Sequence, residues 1–82
     1  RQGRLDEARG LLQQAHLLAR RTGNLGDQAR VRIALAGLEE AQGRADAAEA
    51  LLLAALPALQ RAGERPLEAE VRARLERLRR VA

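Results

Sequence analysis

The 82-residue chain has no cysteine, methionine, phenylalanine, tyrosine or tryptophan, and it also lacks serine and lysine. Each absence removes a class of chemistry. Without cysteine there is no disulfide framework, thiolate metal site or thiol nucleophile, and such a chain suits the cytoplasm. With no serine and Thr22 as its single threonine, side-chain acyl transfer lacks its nucleophile. With no aromatic ring there is no stacking platform for single-stranded nucleic acid. The longest apolar runs, such as LLLAAL at 51–56, fall far short of the roughly 20 residues that cross a bilayer.

What is present is narrow. Eighteen alanines and sixteen leucines make up almost all the apolar residues, against three valines and one isoleucine, so strong helix formers dominate and β-formers are scarce. The composition predicts an all-α fold of one small domain, with a core of leucine against alanine. All fifteen basic residues are arginine and the net charge is +4, a bias that matches a GC-rich coding background. The chain starts in mid-pattern without an initiator methionine, which is expected of a segment of a longer protein.

The opening RQGRLDEARGLL returns as AQGRADAAEALL at 41–52. Sliding the sequence by 40 residues aligns 2–42 with 42–82 without a gap, and fifteen of the forty-one pairs are identical. Glycine falls on glycine at 3 and 43 and again at 23 and 63, which a shared excess of alanine and leucine would not produce. A period of this length marks stacked units, each too small to bury its apolar face alone.

Glycine every twenty residues, with helical apolar spacing between, predicts four helices near 5–22, 25–42, 45–62 and 66–80. The first carries Leu5, Ala8, Leu12, Ala15 and Ala19 as its stripe, widened by Leu11 and Leu18. The second has Asn24 as N-cap and Val31, Ala34, Leu35, Leu38 and Ala41 as its stripe. The third has Ala48, Leu52, Ala55 and Leu59, is apolar well beyond that stripe through Leu51, Leu53, Ala54 and Leu56, and is expected to be the central helix. Pro57 interrupts it opposite the stripe and is expected to bend it around the core. The fourth begins at Pro66 and interleaves its charges as Glu68 with Arg72, Glu70 with Arg74 and Glu76 with Arg80.

The segment GNLGDQARVRIALAGLEEAQGRADAAEALLLAALPALQRAGE, residues 23–64, resembles the roughly 40-residue form of the tetratricopeptide repeat, two antiparallel helices per unit. The resemblance matches Leu35 and Ala36 in the unit's first helix, and Gly43, Ala48, Leu52 and Ala55 at and within its second. Gly3, Ala8, Leu12 and Ala15 repeat the latter set. Arg32 and Glu39 stand where the family's first helix has aromatic residues, and Glu76 stands where it has a small one. The phrasing is most similar to repeats in the C-terminal arms of bacterial LuxR-type and maltose-regulator-type transcription activators. The resemblance implies a right-handed superhelix of helix pairs, here the second helix of one repeat, a full repeat and the first helix of a third. It also implies a non-enzymatic scaffold that holds a peptide or protein surface in a groove lined by helices two and four.

The faces opposite the two stripes give the groove candidates: Arg30, Ile33, Gly37 and Glu40 with Arg44 at the turn, and Glu70, Ala73, Arg77 and Arg80 on the fourth helix. They suit a protein or peptide partner, including an anionic one. No cofactor or metal motif is present, and His16, the single histidine, has no carboxylate and hydroxyl set beside it in the pattern. With the fourth helix's arginines largely matched by its own glutamates, and no lysine or recognition-helix motif, nucleic acid is not the expected partner. A second reading is self-association, because Leu17 lies away from the first helix's stripe and the ends of a stack need covering; a homodimer or an exchange of helices would follow.

Overall fold

A computed structural model describes residues 2–81. They form four helices and no strand: α1 Gln2–Thr22, α2 Leu25–Ala41, α3 Ala45–Ala62 and α4 Arg65–Val81. The turns between them are short, so consecutive helices run antiparallel, and each packs on the one before and the one after.

The turn chemistry is local. Gly23, Gly43 and Gly63 stand at φ 71, 75 and 70°, the left-handed stop that spares a side chain its steric penalty. After Gly23, the Asn24 side chain accepts a hydrogen bond of 3.0 Å from the Asp27 backbone N–H and caps α2. Gly3 is different. Expected as a fourth punctuation mark, it lies inside α1, which already runs from Gln2.

The core lies between α2, α3 and α4: Ala29 and Ala36 from α2, Ala48, Leu52, Ala55, Ala58 and Leu59 from α3, and Val71 and Leu75 from α4. Leu52, Leu59 and Val71 are the largest fully buried side chains. Alanine on both sides of the α2–α3 contact lets the two backbones approach closely, while leucine fills the remaining space. As expected, α3 supplies most of this core and Pro57 lies on its exposed side. Leu53, 43% exposed, and Ala54 also face outward, so α3 is not buried all round.

Two expected stripes are corrected. Helix α2 packs against both α1 and α3, so it has two buried faces: Val31, Leu35 and Leu38 turn toward α1, and Ala29, Ile33 and Ala36 toward α3. A single stripe centred on the larger residues therefore missed Ala29 and Ala36, and it placed Ala34 and Ala41 inside although both are exposed. Helix α1 packs only on α2. Ala19 is buried and Leu5, Ala8 and Leu12 are half-buried, but Ala15 is exposed and Leu11 and Leu18 are 61% and 60% exposed.

Two ion pairs hold the successive interfaces in register. Arg9 of α1 meets Glu39 of α2 at 2.8 Å, and its guanidinium also donates to Gln42 Oε1 at 2.6 Å. Forty residues on, Glu49 of α3 meets Arg79 of α4 at 3.3 Å. The same two positions carry the same bridge with its signs exchanged. Seating α1 on α4 would oppose Arg9 to Arg79, and seating α3 in the place of α1 would oppose Glu49 to Glu39, so the reversed charges disfavour misordered stacking.

Candidate functional site

Helices α2 and α4 lie side by side across α3, linked at two levels. Near the start of α2, Arg30 Nη2 donates to Glu64 Oε1 at 2.6 Å, and its guanidinium stands 3.8 Å from Asp27. Near the end of α2, Arg74 Nη2 donates to Glu40 Oε1, also at 2.6 Å. Gly37 lies beside this second link: a Cβ there would stand 4.0 Å from Arg74 Nη2. Beyond it opens a cleft of about 410 Å³ lined by Glu40, Gly43, Ala45, Arg74, Arg77 and Leu78. Gly43, Ala45 and Leu78 supply an apolar floor, and the charged groups stand at its rim. Arg77 is exposed and makes no ion pair among the described residues, so its guanidinium donors face solvent.

The nine candidates distribute unevenly over this surface. Glu40 and Arg77 line the cleft and Gly37 stands next to it. Arg30 is exposed at the far end of α2, held by Glu64. Ile33 is half-buried and packs on the core instead of the groove, because α2 turns that side toward α3. Arg44 sits at the turn and bonds Glu39 at 3.3 Å, on the side of the chain that faces α1. On α4, Glu70 and Ala73 are exposed, and exposed Arg80 pairs with Glu76 at 2.8 Å.

Arg74, Leu78, Gly43 and Ala45 were not among the candidates. Arg74 was expected to pair with Glu70 along α4, as Arg72 does with Glu68 at 2.8 Å and Arg80 with Glu76. It crosses to Glu40 because its place on the helix points between α4 and α2, where α2 offers a carboxylate. The available signal was the repeat itself: position 34 holds alanine and position 74 arginine, a charge inserted at a groove position of the second unit.

Titration within the described residues is modest. Glu68 is held below the usual carboxylate range, first by its hydrogen bonds from Arg72 and then by that from Gln60, a contact that ties the end of α3 to the start of α4. His16 is lowered below its ordinary 6.5, first by desolvation, then by Arg32 and Arg20, and its Nδ1 is buried without a hydrogen-bond partner. The unfolded chain therefore takes up the His16 proton more readily than the folded one. The stability this lends the fold is complete above 6.5 and is lost as pH falls through that value toward the lowered one. A fall in the thermal midpoint between pH 7.5 and 5, largely removed in His16→Gln, is the expected result; identical pH profiles for the two proteins would refute it. Among the described residues no group of three or more acidic, histidine or cysteine side chains could hold a metal ion. None of the described helices is long and apolar enough to cross a membrane.

Antiparallel helices succeeding one another at a 40-residue period, with a cleft on one face and no assembled catalytic set, define an α-helical repeat protein. The model of the tetratricopeptide repeat family matches residues 1–61. The chain belongs to that family, whose repeats act as scaffolds for contacts between proteins. No curated protein and no solved structure matches the chain.

Proposed function

We propose that the chain is a non-enzymatic binding module that holds a peptide or protein surface along α2 and α4, with the cleft at Arg77 as its specificity point. The unpaired Arg77 above an apolar floor carries this reading. An arginine with free donors is suited to a carboxylate, and Leu78 with Ala45 is suited to a neighbouring aliphatic side chain. Arg74 is already neutralised by Glu40, so it shapes the rim more than it attracts an anion. The preferred ligand is thus a segment pairing an acidic residue or a C-terminal carboxylate with an aliphatic residue.

The match of α1 to α3 and of α2 to α4 supports the further reading that α2 and α3 are one full repeat, α1 the second helix of a preceding one and α4 the first helix of the next. The similarity of the turn phrasing to activator arms supports a place in a bacterial regulatory or signalling protein, working in the cytoplasm. A peptide array scored for bound protein is the test. The expected outcome is enrichment of acidic-aliphatic segments, lost on Arg77→Glu while the circular-dichroism spectrum and melting midpoint stay unchanged. Equal binding by Arg77→Glu would remove the cleft from the function.

A further inference from the structure

The three most exposed large apolar residues among those described, Leu11, Leu17 and Leu18 at 61%, 61% and 60%, all lie on α1. At 100° per residue they occupy the side facing away from α2, on either side of Gln14. A shallow depression lined by Gln14, Leu17, Leu18 and Arg21 marks the same place. This face lies on the first helix and away from the α2–α4 cleft, so what covers it is independent of what the cleft holds.

We propose that α1 pairs antiparallel with α1 of a second copy, with Gln14 on the two-fold axis. The order of residues about Gln14 carries the proposal. Glu7 and Arg21 stand seven residues to either side, and Gly10 and Leu18 stand four to either side. In an antiparallel pair each residue meets the one equally far on the other side of the centre. Glu7 of one copy therefore meets Arg21 of the other at both ends of the contact. Neither residue has an ion pair within its own chain among the described residues. On one flank Leu11 packs against Leu18 of the second copy. On the other flank Leu17 enters the hollow left by Gly10 of the second copy, where a Cβ would find nothing within 4 Å. A helix face whose charges and sizes complement their own reversal is what an isologous contact requires.

The internal repeat argues against the other covering. A helix seated on α1 as α2 is seated on α3 would reach the positions equivalent to Leu51, Ala55 and Ala58, which are half-buried or buried, namely Leu11, Ala15 and Leu18. It would leave Leu17 outside, as the equivalent Pro57 is. Only a contact centred on Gln14 takes in Leu17. One helix against one helix is a small interface, so the dimer is weak and concentration-dependent.

Sedimentation of the 82-residue chain from micromolar to millimolar concentration reads the association. A monomer–dimer equilibrium is expected, abolished by Leu17→Glu with the helical spectrum unchanged, since Leu17 is exposed. Glu7→Arg and Arg21→Glu should each weaken the dimer by on the order of tenfold, and the double exchange should restore it to within about twofold, because the pairs re-form with signs reversed. Helix axes about 8–10 Å apart would bring the two Gln14 Cα atoms to about 4–6 Å, within disulfide reach. Because the chain has no cysteine of its own, Gln14→Cys should oxidise to a covalent dimer far faster than Ala54→Cys at the repeat-equivalent position. A monomer throughout the range overturns the proposal. So does a dimer indifferent to Leu17→Glu, or failure of the double charge exchange to restore what the single ones lost.

Discussion

Leu52→Asp leaves the chain unfolded at 25 °C, with no cooperative thermal transition by circular dichroism. Leu52 is 0% exposed at the centre of the core, between helices that have little else to hold them together. The change removes a buried leucine, which by itself costs about 2–5 kcal/mol, and puts a carboxylate where no cation reaches it. A domain of this size has a net stability on the order of 4–12 kcal/mol, and one with a core of alanine and leucine sits toward the lower part of that range. The aspartate can lower its penalty by staying protonated, but its desolvated polar atoms still find no partner. Leu35→Asp is the milder counterpart, since Leu35 is only half-buried on the α1 side of α2. A cooperative melt for Leu52→Asp near the parent midpoint would contradict the core described above.

Ala36→Glu is the second large effect, and its comparison with Glu76 makes it specific. Positions 36 and 76 are equivalent in the repeat, and the second already carries glutamate. On α4 that glutamate is exposed and bonded to Arg80 at 2.8 Å, so Glu76→Ala should change stability by no more than about 0.5 kcal/mol. On α2, Ala36 is 0% exposed within the α2–α3 contact, and a glutamate there is both too large and uncompensated. A loss of at least about 3 kcal/mol is expected, enough to separate the helices. Urea midpoints of the two variants measured side by side give the test. If both behave alike, then α2 and α4 are interchangeable and the difference in burial between them is not real.

The same pair shows why part of the fold could be read in advance and part could not. Helix number, turn positions and the 40-residue period follow from glycine placement and apolar spacing, which are local properties of the chain; the boundaries came within three residues, and Leu52, Leu59, Val71 and Leu75 were legible as core. Identity between the units, however, hides the positions where they differ in role. The bridge Arg9–Glu39 and its reversed copy Glu49–Arg79 score as mismatches in the alignment, yet they are the same contact. Arg74 looked satisfied by Glu70 along its own helix until α2 offered Glu40 at 2.6 Å. Ile33 looked like a groove residue because a single stripe was assumed for a helix that has two neighbours.

The amino-acid order thus determined which segments are helical, where they stop and that they stack, because capping, left-handed glycine and helical periodicity act within a few residues. Which sides of each helix are covered was decided only when the helices met. A middle helix has two neighbours and an end helix has one, so equal sequences acquire unequal burial. The cleft at Arg77, the exposed leucines of α1 and the harmlessness of Glu76 all follow from that difference in neighbours, which no single helix encodes.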